Sequence, residues 1–66
     1  SSLKSDDILQ LVKKLPPATQ AVFNLFAIDG YAHKEIAEML HISEGTSKWH
    51  INEARKTLQK QLKGYM

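Results

Sequence analysis

A chain of 66 residues, 42% hydrophobic and 24% charged, makes one small domain, near the lower limit at which a single core stabilises itself without disulfides or metal. It has no cysteine, which excludes disulfide frameworks and thiolate metal sites and gives no sign of an oxidising compartment. A formal charge of +2 permits nucleic acid as a partner, while no apolar run approaches the roughly 20 residues that cross a bilayer and no signal peptide opens the chain, so a soluble, cytoplasmic protein without a membrane partner is expected.

Residues 1–4 read as an unstructured lead. Ser5 is a good helix cap, and Asp6 and Asp7 place negative charge where the helix dipole favours it. Ile8, Leu11, Val12 and Leu15 then recur at helical spacing, which predicts a first helix over 6–14. Pro16 and Pro17 end it and open the next, because proline fits a first turn and not an interior. A second helix over 17–28 carries Ala18, Ala21, Val22, Leu25, Phe26 and Ile28 on a broad apolar face, with Gly30 as its stop. A third, over 33–40, turns Ile36, Ala37 and Leu40 inward, although Ala32 is a weak residue at its cap position. His41, Ile42 and Ser43 form a three-residue turn, Ser43 caps a fourth helix over 44–62, and residues 64–66 fray. No segment alternates as a strand would. The expectation is an all-α, four-helix domain over 5–63.

The fourth helix is the informative one. Ser47, Ile51, Ala54 and Leu58 form its buried stripe. At about 100° per residue, Trp49 falls almost opposite that stripe, beside Gly45, Asn52 and Lys56, so the largest side chain in the protein points outward. Residues 48–66 also carry Lys48, Arg55, Lys56, Lys60 and Lys63 against one acid, Glu53. A short helix, a three-residue turn and a longer, basic helix with a polar outer face describe a helix-turn-helix. Ala37 is small where the two helices cross, Ile42 packs in the turn and Ile51 locks them together. The amino-terminal half of the last helix is then free to enter a major groove about 12 Å wide.

With these elements in place, "LPPATQAVFNLFAIDGYAHKEIAEMLHISEGTSKWHINEARKTL" resembles region 4 of sigma-70 family RNA polymerase sigma factors of the extracytoplasmic-function type. The resemblance covers about residues 5–62 and rests on the "LPP" opening, Val22 and Phe23 followed by Leu25, Gly30, "EIAEML" and "EGTSKWHINEARK". It implies a domain that reads the minus-35 promoter element as part of RNA polymerase and directs transcription initiation. A region 2, which melts the start site, has no counterpart here, so a carboxyl-terminal domain is expected. The family usually has valine where Ser47 stands, a basic residue where Glu53 stands, and Ser or Thr where Ala32 stands.

Positions 48, 49, 52 and 53 correspond to base-reading side chains of the family. Lys48 and Asn52 are expected to reach base edges, Trp49 to pack on a thymine methyl or sugar, and Glu53 to accept from a cytosine amino group. Arg55 and Lys56 are assigned to phosphates, as are Thr46 in the first turn of the same helix and Lys34, which starts the third helix where backbone N–H groups also favour an anion. His33, His41 and His50 stand 8 and 9 residues apart, which matches no zinc pattern. His33 and His50 are assigned to phosphates instead. No nucleophile motif such as G-x-S-x-G is present; neither an enzyme, a cofactor, nor a small-molecule substrate is expected.

Leu9 and Phe23 lie off the buried stripes of the first two helices. By the resemblance they are candidates for a second surface that docks on the polymerase flap or on an anti-sigma factor. Two other functions fit the sequence. One is a LuxR-type regulator domain, whose recognition helix also carries a lysine and a histidine two apart, as Lys48 and His50 are. The other is a protein-interaction module that uses the first two helices and an exposed Trp49 without DNA.

Overall fold

A computed structural model describes the backbone of residues 5–62 and the side chains of residues 9–62. The expected lead, the carboxyl-terminal end and the inward placement of Ile8 fall outside these. Four helices follow in order: α1 (Ser5–Lys13), α2 (Pro17–Phe23), α3 (His33–Leu40) and α4 (Glu44–Leu62). Ser5 is already helical rather than outside the helix as a cap. At the other end of α1 the last turn tightens, with Lys14 and Leu15 N–H groups donating to Leu11 and Val12 carbonyls at 3.1 and 3.0 Å.

Pro16 caps α2 with extended backbone and Pro17 occupies its first turn, where a missing N–H costs nothing. The helix does not stay α-helical to its end. Residues Asn24–Ile28 form a π-helical turn, so the side chains after Phe23 advance out of phase with those before it. Gly30 then reverses the chain at φ 81°, with the Tyr31 N–H closing on the Leu25 carbonyl at 2.9 Å.

The core has two lobes. Val12, Leu15 and Ala54 join α1 to α4, and Val22, Ile36 and Ile51 join α2, α3 and α4. Phe23 packs against both. Ala37 is buried on α3, and Ile42 packs from the turn against the second lobe, as expected. Four inward assignments are corrected. Ala18, Ala21 and Ile28 are exposed, because the buried face of α2 is rotated toward Thr19 and Phe23, and the π turn carries Ile28 outward. Leu40 is also exposed: the chain reverses immediately after it, and Ile42 takes the core position instead.

That reversal is made by His41 in the left-handed region, at φ 57° and ψ 44°, a conformation usually left to glycine. The His41 and Ile42 N–H groups both reach the Ala37 carbonyl. At the other end of α3 the capping arrangement is half built. The Ala32 N–H donates to Glu35 Oε1 at 2.9 Å, but alanine has no oxygen with which to return the bond. The α3–turn–α4 unit is a helix-turn-helix, with α4 as its long second helix.

Candidate nucleic-acid interface

Ser43 starts α4 as expected. Its Oγ accepts from the Thr46 N–H at 3.0 Å and donates its own proton to Thr46 Oγ1 at 2.9 Å. The Thr46 hydroxyl proton is therefore left for another acceptor, at a helix start where an anion is favoured. One turn further on, Ser47, Ile51 and Ala54 are buried while Lys48, Trp49 and Asn52 are exposed. Trp49 is 56% exposed. Its indole meets the His50 ring edge-on, with centroids 5.0 Å apart, which leaves most of the ring surface open. The buried stripe and the outward tryptophan are thus as the helical phase requires.

The two histidines assigned to phosphates are not free surface side chains. His33, the first residue of α3, stacks on Phe26 with ring centroids 4.4 Å apart and planes 13° from parallel. Its Nδ1 lies 2.8 Å from Ser47 Oγ. His50 is half-buried, and its Nδ1 lies 2.9 Å from Thr19 Oγ1. Each ring therefore bonds its own helix to a neighbour, His33 across α3 and α4 and His50 across α4 and α2. Among the described residues no buried side-chain nitrogen or oxygen lacks a partner, so the second ring nitrogen of each, Nε2, reaches solvent. Periodicity gave no sign of these pairs. The available signal was serine at 47, where an apolar residue would complete the stripe.

The cations Lys34, Lys48, Arg55 and Lys56 are all exposed. Lys56 Nζ donates to Glu53 Oε2 at 3.5 Å, with the two side chains 76% and 39% exposed. So solvated a pair contributes little to stability, and Lys56 is free to exchange the carboxylate for a phosphate. Lys48, Trp49, Asn52 and Lys56 share one side of α4. Arg55 lies about 120° round the helix from Trp49, where it borders an apolar groove.

That groove, about 270 Å³, runs between α2 with its π turn and the carboxyl-terminal half of α4, and is lined by Phe23, Phe26, Ile51, Arg55, Leu58 and Leu62 among others. Its position changes the reading of the second surface. Leu9 is 45% exposed, as expected. Phe23 is half-buried and bridges the two lobes of the core, because the rotation of α2 brings it inward. It is a packing residue with one face on the groove, not an exposed partner for Leu9. Among the described residues no three His, Cys, Asp or Glu side chains gather as a metal site, and no helix is long and apolar enough to cross a membrane.

No curated protein and no solved structure matches the chain. The sequence model of the family described as Sigma-70, region 4, matches residues 5–58.

Proposed function

The chain belongs to the Sigma-70, region 4 family, a family of promoter-binding rather than catalytic domains, and from that premise we propose that α4 reads the minus-35 element of promoters through the major groove, as the carboxyl-terminal domain of an extracytoplasmic-function sigma factor. The observation that carries the reading is the exposed side of α4 opposite Ser47, Ile51 and Ala54. There a half-exposed tryptophan stands between a lysine and an asparagine, directly after a capped helix start.

Phosphate contacts position the helix and base contacts choose the site. Lys34, Thr46, His33, His50, Arg55 and Lys56 supply the first kind. Lys48 and Asn52 donate to base edges, Trp49 covers an apolar edge such as a thymine methyl, and Glu53 accepts from a cytosine amino group when Lys56 turns to a phosphate. Leu9 on α1 and the groove beside Phe23 lie away from Trp49 and suit contacts with RNA polymerase, at its flap, or with an anti-sigma factor. The family match favours this assignment over the LuxR-type alternative.

Titration of the domain with duplex DNA tests the proposal, with Trp49, the single tryptophan of the chain, as the reporter. About four phosphate contacts from charged side chains, Lys34, Arg55 and Lys56 with Lys60 one turn further on, give an expected log–log salt slope of roughly −4. A slope near zero, or no binding at low salt, would replace the DNA reading with a protein-interaction module.

A further inference from the structure

Two buried hydroxyls sit on the inner nitrogens of two histidines, and the pairing repeats across two different helix seams. Ser47 is fully buried and Thr19 is 4% exposed. A hydroxyl proton removed from water must find an acceptor, or its desolvation goes uncompensated. Among the described residues, the hydrogen-bond partner of Ser47 Oγ is His33 Nδ1, and that of Thr19 Oγ1 is His50 Nδ1. A neutral imidazole has one N–H donor and one bare acceptor nitrogen. If Nδ1 carried the proton, each buried hydroxyl would face a donor and its own proton would have no acceptor among these contacts. The hydrogen-bond network therefore assigns the proton of both rings to Nε2, the nitrogen that reaches solvent.

We infer that Ser47 and Thr19 are positioning residues for DNA binding: they fix the tautomer and the orientation of His33 and His50, so that each ring presents Nε2–H outward as a donor for a phosphate oxygen. The inference rests on the proposed DNA reading and adds to it why a serine stands in the apolar stripe of α4. A valine at 47 would fill the same space and leave His33 free to take either tautomer. The stack on Phe26 fixes the plane of the His33 ring, and the hydroxyl fixes which edge of it donates. His33 opens α3 and His50 lies on α4 beside Trp49, so both elements of the helix-turn-helix gain one oriented donor. Such a donor helps to hold register on the duplex.

The test combines long-range proton–nitrogen NMR of the histidine rings, at a pH where they are uncharged, with DNA titration of the same 66-residue proteins. In the wild type, both rings should show a bare Nδ1 and a protonated Nε2. Ser47→Val should leave the melting temperature unchanged or raised, convert His33 to a mixture of tautomers and weaken DNA binding about fivefold, the loss of part of one hydrogen bond to a charged group. Ser47→Thr, which restores a hydroxyl, should recover both signals. In a His33→Ala background, Ser47→Val should have no further effect on affinity. Thr19→Val should act in the same way on His50. A protonated Nδ1 in the wild type overturns the assignment, and that measurement needs no variant to fold. An equal loss from Ser47→Val with and without His33 overturns the positioning role while leaving the DNA reading intact. Intact tautomers in a wild-type protein that binds no DNA would overturn the DNA reading and this role with it.

Discussion

The two halves of α4 are attached to the domain by different means. Up to Ile51, the helix is tied by side-chain hydrogen bonds as well as apolar packing: Ser43 caps it, Ser47 bonds α3 through His33, and His50 bonds α2 through Thr19. Beyond Ile51, Ala54 and Leu58 pack on Val12 and Leu15, and among the described residues no side chain from this half hydrogen-bonds to another helix. Hydrogen bonds are directional and weaken steeply with angle, whereas apolar burial scales with area and tolerates small rotations. The half that carries Lys48 and Trp49, with Asn52 directly after it, is the half whose rotation is fixed. The other half needs only to stay attached, and it leaves an apolar groove open along its side.

Substitutions separate these two kinds of attachment, and the largest effect belongs to the apolar core beneath the directional half. Ile36 is fully buried between Val22 and Ile51, so Ile36→Ala should cost about 3 kcal/mol, enough to unfold much of so small a domain on thermal or urea denaturation. Phe23 comes next. Half-buried against both lobes, it should lose about 2 kcal/mol on Phe23→Ala, whereas Leu9→Ala, on an exposed side chain, should stay within about 0.5 kcal/mol. Equal effects at the two positions would restore them as one surface patch.

How far the sequence anticipates this molecule depends on which force sets each feature. Helix bounds are set locally, by Pro16 and Pro17, by Gly30 and by the cap at Ser43, and each of these lies within a residue or two of the expected place. The outward Trp49 follows from the spacing of Ser47, Ile51 and Ala54 alone. Three features escape such reading because they depend on tertiary partners. The π turn carries Ile28 outward without a proline or glycine inside it to mark it. Thr19 is buried because a histidine 31 residues away takes its hydroxyl. His41 adopts a left-handed conformation, and the composition of the turn does not single it out from Ile42 or Ser43.

That turn joins the two helices of the motif, and relieving it sharpens the comparison by stabilising the directional half. His41→Gly should raise stability by about 0.5–1 kcal/mol, the left-handed penalty of a side chain less the entropy that glycine adds to the unfolded chain. Ala32→Ser should complete the capping box with Glu35 for a gain of about 0.5–1 kcal/mol. Both are read as a shift in denaturation midpoint. A loss at position 41 would mean that the imidazole makes a contact outweighing its backbone strain.

The smallest effect on stability is expected at the residue with the largest expected effect on recognition. Trp49→Ala should change the unfolding free energy by less than about 0.5 kcal/mol, because a side chain more than half exposed adds little to the core. It should weaken binding to a preferred duplex more than binding to random sequence. A melting-temperature drop of the size seen at Ile36 would place the indole inside the fold.

The most direct measurement is a titration of the nitrogen-15-labelled domain with a duplex selected from a random pool, followed by backbone amide shifts. Saturating changes should concentrate at Thr46, Lys48, Trp49, Asn52 and the Trp49 indole N–H, with a second group at His33 and Lys34 and little at Phe26, Leu58 or Leu62. Changes centred on the apolar groove, with the Trp49 side of α4 unmoved, would contradict the assignment of the directional half of α4 to DNA.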